Sequence, residues 1–418
     1  MEEFFKRKLE DEISRYIERR EIIGIRGSRQ TGKTTLLKII SDRIQEDKAF
    51  INLDLIEYRR TLEENPLDLV KRFKKTRKLF MFLDEVQRVK DGGEKLKIIY
   101  DEFPDVKLFI SGSSSLELKT NILPSLVGRL FLYELYTFDF EEYLSVKDEG
   151  LARLFRENQS SLKKFLEGRD DIAPPSYTKE YMENWKDYVI YGGYPEVVRS
   201  RNKEEKTTIL KNIYNLYLEK DITAFFKIEE TLKFSDLLQY LAFNTSKMLS
   251  TSSLASDLKI SHNKAEEYLT ILQHTYIIRL LKPFHRNLVT ELKKSPKIYF
   301  LDTGLRNTVM NNHTPFESRS DKGNLTENFV LKELTSNFRE WKLNYWRTTG
   351  KAKIDFILRK DEEAIPVEVK LDGEKLGKGF YSFLKTYKPE KAVIATKEKF
   401  KKQKINSTTV YWIPAFYI

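Results

Sequence analysis

The sequence predicts an α/β chain built on a parallel sheet with helices on both faces. Three observations predict it. Short apolar segments recur at residues 22–25, 49–53, 79–83 and 106–110. Helical patterns separate them, and strands that alternate with helices pair in parallel and are buried on both sides. The first apolar segment runs straight into a glycine-rich turn, which a helix over residues 34–40 follows. At 418 residues the chain is long enough for about three domains. Its 40% hydrophobic content supplies ample buried core and rules out wholesale disorder.

Composition excludes several chemistries. There is no cysteine, so disulfides, thiolate metal sites and cysteine nucleophiles are ruled out. Four scattered histidines argue against a histidine-rich metal centre. The longest apolar run, residues 79–83, is far shorter than the roughly twenty residues of a membrane-spanning helix, so no membrane partner is expected. The opening Met1-Glu2-Glu3-Phe4-Phe5 is acidic and does not read as a signal peptide; a reducing cytoplasmic setting is expected. Lys and Arg number 74 against 63 Asp and Glu, a net charge of +11. That excess permits nucleic-acid contact through counterion release, and it equally suits a solvated surface rich in lysine and glutamate.

Residues 1–20 place Phe5, Leu9, Ile13 and Tyr16 near helical spacing and predict an amphipathic helix. Residues 146–184 turn polar, with Gly168-Arg169-Asp170-Asp171 and Pro174-Pro175, and read as a helical insert with a loop. A long helical pattern over about residues 205–226 follows Gly192-Gly193-Tyr194-Pro195. Residues 231–300 predict three helices and two strands. From about residue 323 strands and helices alternate again, giving a second α/β unit.

The glycine-rich turn carries the most specific signal. Gly27-Ser28-Arg29-Gln30-Thr31-Gly32-Lys33-Thr34 fits G-x-x-x-x-G-K-[ST] at every defined position, between a strand and a helix. Glycines let backbone N–H groups wrap phosphate oxygens, and the helix N-terminus adds a positive dipole. Lys33 is expected on the β- and γ-phosphates, Thr34 on Mg²⁺, and Thr35 in the same first turn. The greasy strand 79–83 ends in Asp84-Glu85. Two acids there are costly unless a cation or water uses them. Asp84 is expected to hold Mg²⁺ and Glu85 to orient or deprotonate the attacking water. The strand over residues 108–110 ends in Ser111-Gly112-Ser113-Ser114; Ser111, or failing that Ser113, would position water or touch the γ-phosphate, unless the segment is simply a serine-rich turn. Arg129 is a candidate cation for the transition state, in cis or from a neighbouring subunit, with a plain surface arginine as the alternative.

Taken together, Gly24 to Thr35, Phe82-Leu83-Asp84-Glu85-Val86-Gln87, Ser111-Gly112-Ser113-Ser114 and Gly128-Arg129-Leu130 resemble prokaryotic AAA-type ATPases, in the group that carries a C-terminal domain of unknown function. Gly192-Gly193-Tyr194-Pro195-Glu196 and Lys297-Ile298-Tyr299-Phe300-Leu301-Asp302-Thr303-Gly304-Leu305 are similar to further signatures of that group. The resemblance implies an AAA-like core over residues 1–145 and a helical insert and lid over 146–230. It further implies a winged helix over 231–310 and a restriction-endonuclease-like domain over 318–418. ATP as the nucleotide comes from this resemblance, because no base-reading motif is visible.

Two further clusters bear on partners. Residues 252–258, a turn at Ile260-Ser261 and a helix over 263–275 have helix-turn-helix spacing, with Ala265, Tyr268, Leu269 and Leu272 on one face and wing strands at 276–284 and 297–300. DNA binding is one reading. Glu266 and Glu267 would repel phosphates, which favours a packing or partner-contact role. Downstream, Asp355 lies on one strand and Glu368 and Lys370 on the next, two apart and so on one face. A hairpin through residues 360–363 can bring Asp355 and Glu368 together around a divalent ion, with Lys370 activating water or steadying the developing phosphorane charge and Glu327 as a further candidate acid. The alternatives are an exposed, alternately charged hairpin, or a domain that binds nucleic acid without cleaving it. The stretch 374–404 holds ten lysines against three acids, a net of +7. With Phe380, Tyr381, Phe383 and Tyr387, it either follows a phosphate backbone or forms an amphipathic surface helix. The expected function is Mg²⁺-dependent ATP hydrolysis acting on or regulated by DNA. The alternative is a nucleotide switch that recruits a regulatory protein. An oligomer is possible on either reading.

Overall fold

The computed structural model describes residues 4–113, 118–225, 230–284, 294–348, 350, 352–371 and 375–418. Met1, Glu2, Glu3, Ser114 and Glu374, which the readings above include, lie outside them. The chain divides into two compact units: residues 1–137 with 270–277, and residues 138–269 with 278–418.

The first unit contains α1 (Lys8–Ser14), β1 (Ile22–Arg26), α2 (Lys33–Arg43), β2 (Asp47–Asn52), α3 (Ile56–Glu64), α4 (Pro66–Phe73), β3 (Leu79–Asp84), α5 (Gly92–Glu102), β4 (Val106–Gly112) and β5 (Leu130–Glu134). The five strands lie in the order β2-β3-β4-β1-β5, and every neighbouring pair is parallel. Alternation along β3 explains why its whole run is apolar. Phe80 and Phe82 join the core under α1 and α2, with Leu9, Ile13, Leu36 and Ile40. Leu79, Met81 and Leu83 face the opposite core with Leu62, Leu69 and Leu96 from α3, α4 and α5. A strand covered on both sides has no polar face to show. The helix expected over residues 1–20 is shorter: α1 ends at Ser14. The carbonyls of Tyr16, Arg19 and Glu21 bend instead onto the buried Lys107 ammonium at 2.5–3.1 Å, which a continued helix would not present together.

The second unit begins with α6 (Phe140–Lys147), α7 (Glu149–Leu166), α8 (Thr178–Tyr191), α9 (Pro195–Arg199) and α10 (Lys203–Leu216). The polar insert is thus α7, a loop and α8. Asp139 and Glu142 form a reciprocal capping box at the start of α6. Three helices follow: α11 (Thr231–Phe243), α12 (Thr251–Leu258) and α13 (His262–His274), which runs from the second unit into the first. Ser250 caps α12 by accepting from Ser253 N at 3.2 Å, and Lys259, at φ 52°, ends it in the left-handed conformation. The four residues expected on one face of α13 are buried. Strands β6 (Ile278–Leu281) and β7 (Lys297–Phe300) pair antiparallel. The wing strand expected over 276–284 is therefore confined to its central four residues.

The remainder comprises α14 (Thr303–Val309), α15 (Lys322–Asn337), β8 (Lys342–Arg347), β9 (Lys353–Lys360), β10 (Glu363–Lys370), α16 (Lys378–Tyr387), β11 (Lys391–Thr396), β12 (Lys401–Ile405) and β13 (Thr408–Pro414). These strands form a mixed sheet in the order β12-β13-β11-β10-β9-β8. Phe380, Phe383 and Leu384 of α16 pack against Trp346 and Ile354, while Tyr381 is exposed. The lysine-rich stretch thus contains an amphipathic surface helix. Its Lys391 is buried on Leu166 O and Glu363 at 2.8 and 2.7 Å.

Two motifs of the sequence meet here. Asp302 accepts from Gly193 N and from Leu305 N, both at 2.9 Å. Gly192 has φ +75°, and a Cβ there would lie 2.1 Å from Asp302 Oδ1. The Gly192-Gly193 turn and the Asp302 cap therefore form one buried joint between α8 and α14. Nearby, Arg306 and Arg319 both bind Asp321, at 2.5 and 2.8 Å. His313 stacks on Tyr191, with ring centroids 5.8 Å apart. Burial first, then the charges of Arg319 and Lys211, push its pKa from 6.5 down to about 4.

Gly192→Ala should therefore destabilise the second unit by about 3 kcal/mol, from left-handed strain and overlap with Asp302; denaturant melts followed by circular dichroism will show it. His313 binds its proton in the unfolded chain before it does so in the folded one, so stability should fall as pH drops from about 6.5 to about 4. His313→Gln should flatten that stretch of the melting-temperature profile.

Candidate functional site

Strand order places the chemistry. In the β3-β4-β1 array, Ser111 pairs with Ile25 and Gly112 with Arg26, while Leu83 pairs with Ile110. Asp84 and Ser111 therefore emerge beside the loop that follows Arg26, all at one carboxyl edge of the sheet. The loop folds tightly there. Gly27 passes so close to β5's continuation that a Cβ would lie 2.1 Å from Leu135 O. Gln30 and Gly32 are left-handed, at φ 60° and 92°. Ser28 and Thr31 are buried, Arg29 is half-buried and Gln30 is exposed. Thr31 Oγ1 donates to Ser28 O at 2.9 Å. Lys33 opens α2 and is buried; its ammonium spans the loop, donating to Gly27 O at 3.0 Å and Ser28 O at 2.7 Å. Thr34 and Thr35 follow in the first helical turn.

Thr34 Oγ1 donates to Asp84 Oδ2 at 2.6 Å, and Ser111 Oγ donates to Asp84 Oδ1. Asp84 is buried between the two hydroxyls. Glu85 is half-buried at φ 62°, a backbone conformation that costs a non-glycine residue about 1–3 kcal/mol and concentrates at functional sites. Its carboxylate is held by Gln87 Nε2 and by Ser113 Oγ at 3.2 Å, while Gln87 also donates to Ser113 at 3.1 Å. The two serines thus divide the work: Ser111 is turned into Asp84, and Ser113 orients Glu85.

Arg129 is not part of this group. It precedes β5 at the level of Ile22, whereas the loop follows β1 at the level of Glu134. Four strand steps put them more than about 13 Å apart. Arg129 binds Asp101 at 3.1 Å and lies over the Tyr100 ring.

Sequence reasoning gave no role to several neighbours of the loop. Arg7 is buried just before α1 and clamps Thr31 O and Tyr136 O, both at 2.8 Å. Arg26 pairs with Glu134 at 2.6 Å, and Glu134 also accepts from Tyr136 at 2.5 Å and Tyr276 at 3.3 Å. Burial would raise the Glu134 carboxyl, but these donors outweigh it and hold it below its ordinary value. No local pattern marks Arg7 or Tyr276, because their partners are distant in sequence. Gln87, two residues after Glu85, was quoted without a role.

A second acidic cluster lies in the second unit. Asp355 and Glu368 sit on adjoining antiparallel strands, as the hairpin required. Asp355 N donates to Glu368 Oε2 and Val369 N to Asp355 Oδ2, both at 3.2 Å. Lys370 pairs with Glu368 at 3.1 Å and Lys353 with Asp355 at 3.5 Å. Glu327 comes from α15, yet it does not join the other two around an open centre. Buried Lys297 stands between them, 2.8 Å from Glu327 and 3.3 Å from Asp355, and Tyr299 donates to Glu327 at 2.6 Å. Burial alone would lower the Lys297 pKa; the two carboxylates outweigh it and raise it. Burial and the Asp355 charge push Glu368 up to about 7. Among the described residues, no group of three His, Cys, Asp or Glu side chains is gathered as for an ion, Glu327, Asp355 and Glu368 included. Nor is any helix among them long and apolar enough to cross a membrane.

Comparison with known proteins agrees for the first unit. Residues 19–144 match the family described as AAA domain. Residues 182–315 and 322–416 match two families described as domains of unknown function, DUF8612 and DUF4143. The uncharacterized protein Rv2008c of Mycobacterium tuberculosis is 25% identical over 366 residues, covering 86% of this chain and 72% of that protein. The uncharacterized protein MJ1544 of Methanocaldococcus jannaschii is 25% identical over 344 residues, covering 80% and 71%. Among solved structures, RuvB of Thermotoga maritima, described as a Holliday junction branch migration motor, aligns at 14% identity and a TM-score of 0.28, covering 66% of this chain and 90% of that one. Cdc6p of Pyrobaculum aerophilum aligns at 15% and 0.27, covering 72% and 91%. Scores this low carry no argument about activity. The AAA match, the parallel sheet and the loop make residues 19–144 a P-loop nucleotide-binding domain of AAA type.

Arg7→Met should weaken nucleotide affinity about tenfold, the worth of one charge-assisted bond to the loop. Titration with a fluorescent nucleotide analogue measures this; an affinity within about twofold of the parent would reduce Arg7 to a brace for α1.

Proposed function

We propose that this protein is a magnesium-dependent ATPase whose nucleotide cycle regulates a DNA-directed C-terminal segment. The observation that carries the ATPase reading is the 2.6 Å bond from Thr34 at the head of α2 to Asp84 at the end of β3. A hydroxyl and a carboxylate so joined supply the hard oxygen donors that magnesium prefers, beside a loop shaped for phosphate. The residues therefore fit the ion. Bound magnesium would neutralise phosphate charge and orient the β- and γ-oxygens. Lys33 would exchange loop carbonyls for phosphate oxygens, with the loop amides of residues 27–35 around them. Ser111 fixes the Asp84 carboxylate. Glu85, steadied by Gln87 and Ser113, would take the proton of the attacking water. Adenine as the base rests on the AAA likeness. Arg129 retains a role only if an oligomer presents it to a neighbouring loop.

For the rest of the chain, we read α11–α13 with β6 and β7 as a winged helix, supported by helix-turn-helix spacing and the antiparallel strand pair. The C-terminal segment is read as restriction-endonuclease-like, supported by the juxtaposed Asp355, Glu368 and Lys370. DNA contact is supported by the net charge of +11. A second reading has its own observation. Glu266 and Glu267 are exposed on α13, and Lys264 is tied to Glu230. That surface suits a regulatory protein partner better than base edges, which favours a nucleotide switch.

Lys33→Ala should abolish nucleotide binding. Glu85→Gln should keep binding and lower turnover by about 10²-fold or more; phosphate release and nucleotide titration on both variants test the assignment, and parental turnover in both would sink it. Duplex affinity measured across salt concentrations should fall steeply if DNA is the partner. Pull-downs that recover one protein in ATP and not in ADP would favour the switch instead.

A further inference from the structure

The carboxylate frame of the C-terminal segment is neutralised from within. Glu327 on α15, Asp355 on β9 and Glu368 on β10 are all buried. Three lysines face them: Lys297 binds Glu327 and Asp355, Lys353 binds Asp355, and Lys370 binds Glu368. Three carboxyl groups face three ammonium groups, so a divalent ion would have to displace an ammonium or add uncompensated charge to a buried site. Several of the carboxylate oxygens are engaged as well. Glu327 Oε1 accepts from both Lys297 and Tyr299. Asp355 Oδ1 faces two ammonium groups, and Oδ2 accepts from Val369 N. An ion bridging Glu327 and Asp355 would have to evict Lys297. That ammonium is buried, with the Tyr345 ring centroid 5.7 Å away, and eviction would strand its charge. The residues therefore do not fit the metal that a nuclease-like frame implies.

We propose that Lys297 is a built-in cation that occupies the ion position between Glu327 and Asp355. The C-terminal segment keeps a nuclease-like frame, takes no divalent metal there, and uses the frame to lock β7 to α15 and β9. Lys297 comes from β7, outside the sheet that carries Asp355 and Glu368, so one side chain joins the wing strand to the C-terminal fold. The inference concerns the second unit alone and stands whether or not the loop in the first unit hydrolyses ATP.

The test is Mn²⁺ titration, read by electron paramagnetic resonance, of the full chain without nucleotide. Asp84→Asn in every arm removes the loop's own acid. With Lys297 intact, no saturable Mn²⁺ signal should depend on Asp355. Lys297→Met should gain one saturable site per chain, and adding Glu327→Gln should remove it. A saturable site in the Lys297 chain that Asp355→Asn abolishes would overturn the proposal. So would a Lys297→Met chain that melts cooperatively yet gains no ion. If Lys297→Met does not fold, the comparison of the Lys297 chain with its Asp355→Asn variant decides alone: loss of a bound ion refutes the built-in cation, and an unchanged, ion-free signal supports it.

Discussion

At the carboxyl edge of the first unit's sheet, one hydrogen bond, from Thr34 to Asp84, ties the head of α2 to the end of β3. It can form only because β4 lies between β3 and β1, which carries the end of β3 to the carboxyl edge where the loop begins. The apolar faces of the sheet fix that order by packing α1 and α2 on one side and α3, α4 and α5 on the other. Stability and chemistry are thus coupled through the same strand. Phe80 and Phe82 bury one face of β3, Met81 and Leu83 the other, and the two acids follow where the apolar run ends.

Around this bond, groups far apart in sequence hold the loop in shape. Arg7 clamps Thr31, and Gly27 lies against Leu135. Glu85 sits in a left-handed conformation that Gln87 and Ser113 hold in place. A strained acid pinned by two neutral donors is oriented without being neutralised, which a proton acceptor requires. Asp84 is fixed between the hydroxyls of Thr34 and Ser111.

The second unit follows a different constraint, the pairing of buried charge. Asp302 is satisfied by the amides of Gly193 and Leu305, Asp321 by Arg306 and Arg319, and Glu327 by Lys297 and Tyr299. In each case one partner is distant in the chain, Gly193 for Asp302, Arg306 for Asp321 and Lys297 for Glu327, because a buried charge must find a partner wherever the fold offers one. The motif-like Gly192-Gly193 and Asp302 residues are explained by this joint; no ligand is needed to account for them.

What the sequence determined by itself was local: the strand-loop-helix phosphate motif, the acids ending a buried strand, the three helices of residues 231–274, and the hairpin that pairs Asp355 with Glu368. Each rests on spacing within a few residues, or on periodicity that survives without a partner. What only the tertiary structure decided was which groups meet across the chain. Arg129 looked available and sits at the far edge of the sheet, because a parallel strand carries its two ends to opposite edges. Ser113, not Ser111, reaches Glu85, and the first helix stops at Ser14 because Lys107 gathers the carbonyls that follow. Lys297 stood in a recognised motif with no role, and its role appears only when β7, α15 and β9 converge. Charge compensation is a property of packed neighbours, and one-dimensional spacing does not encode it.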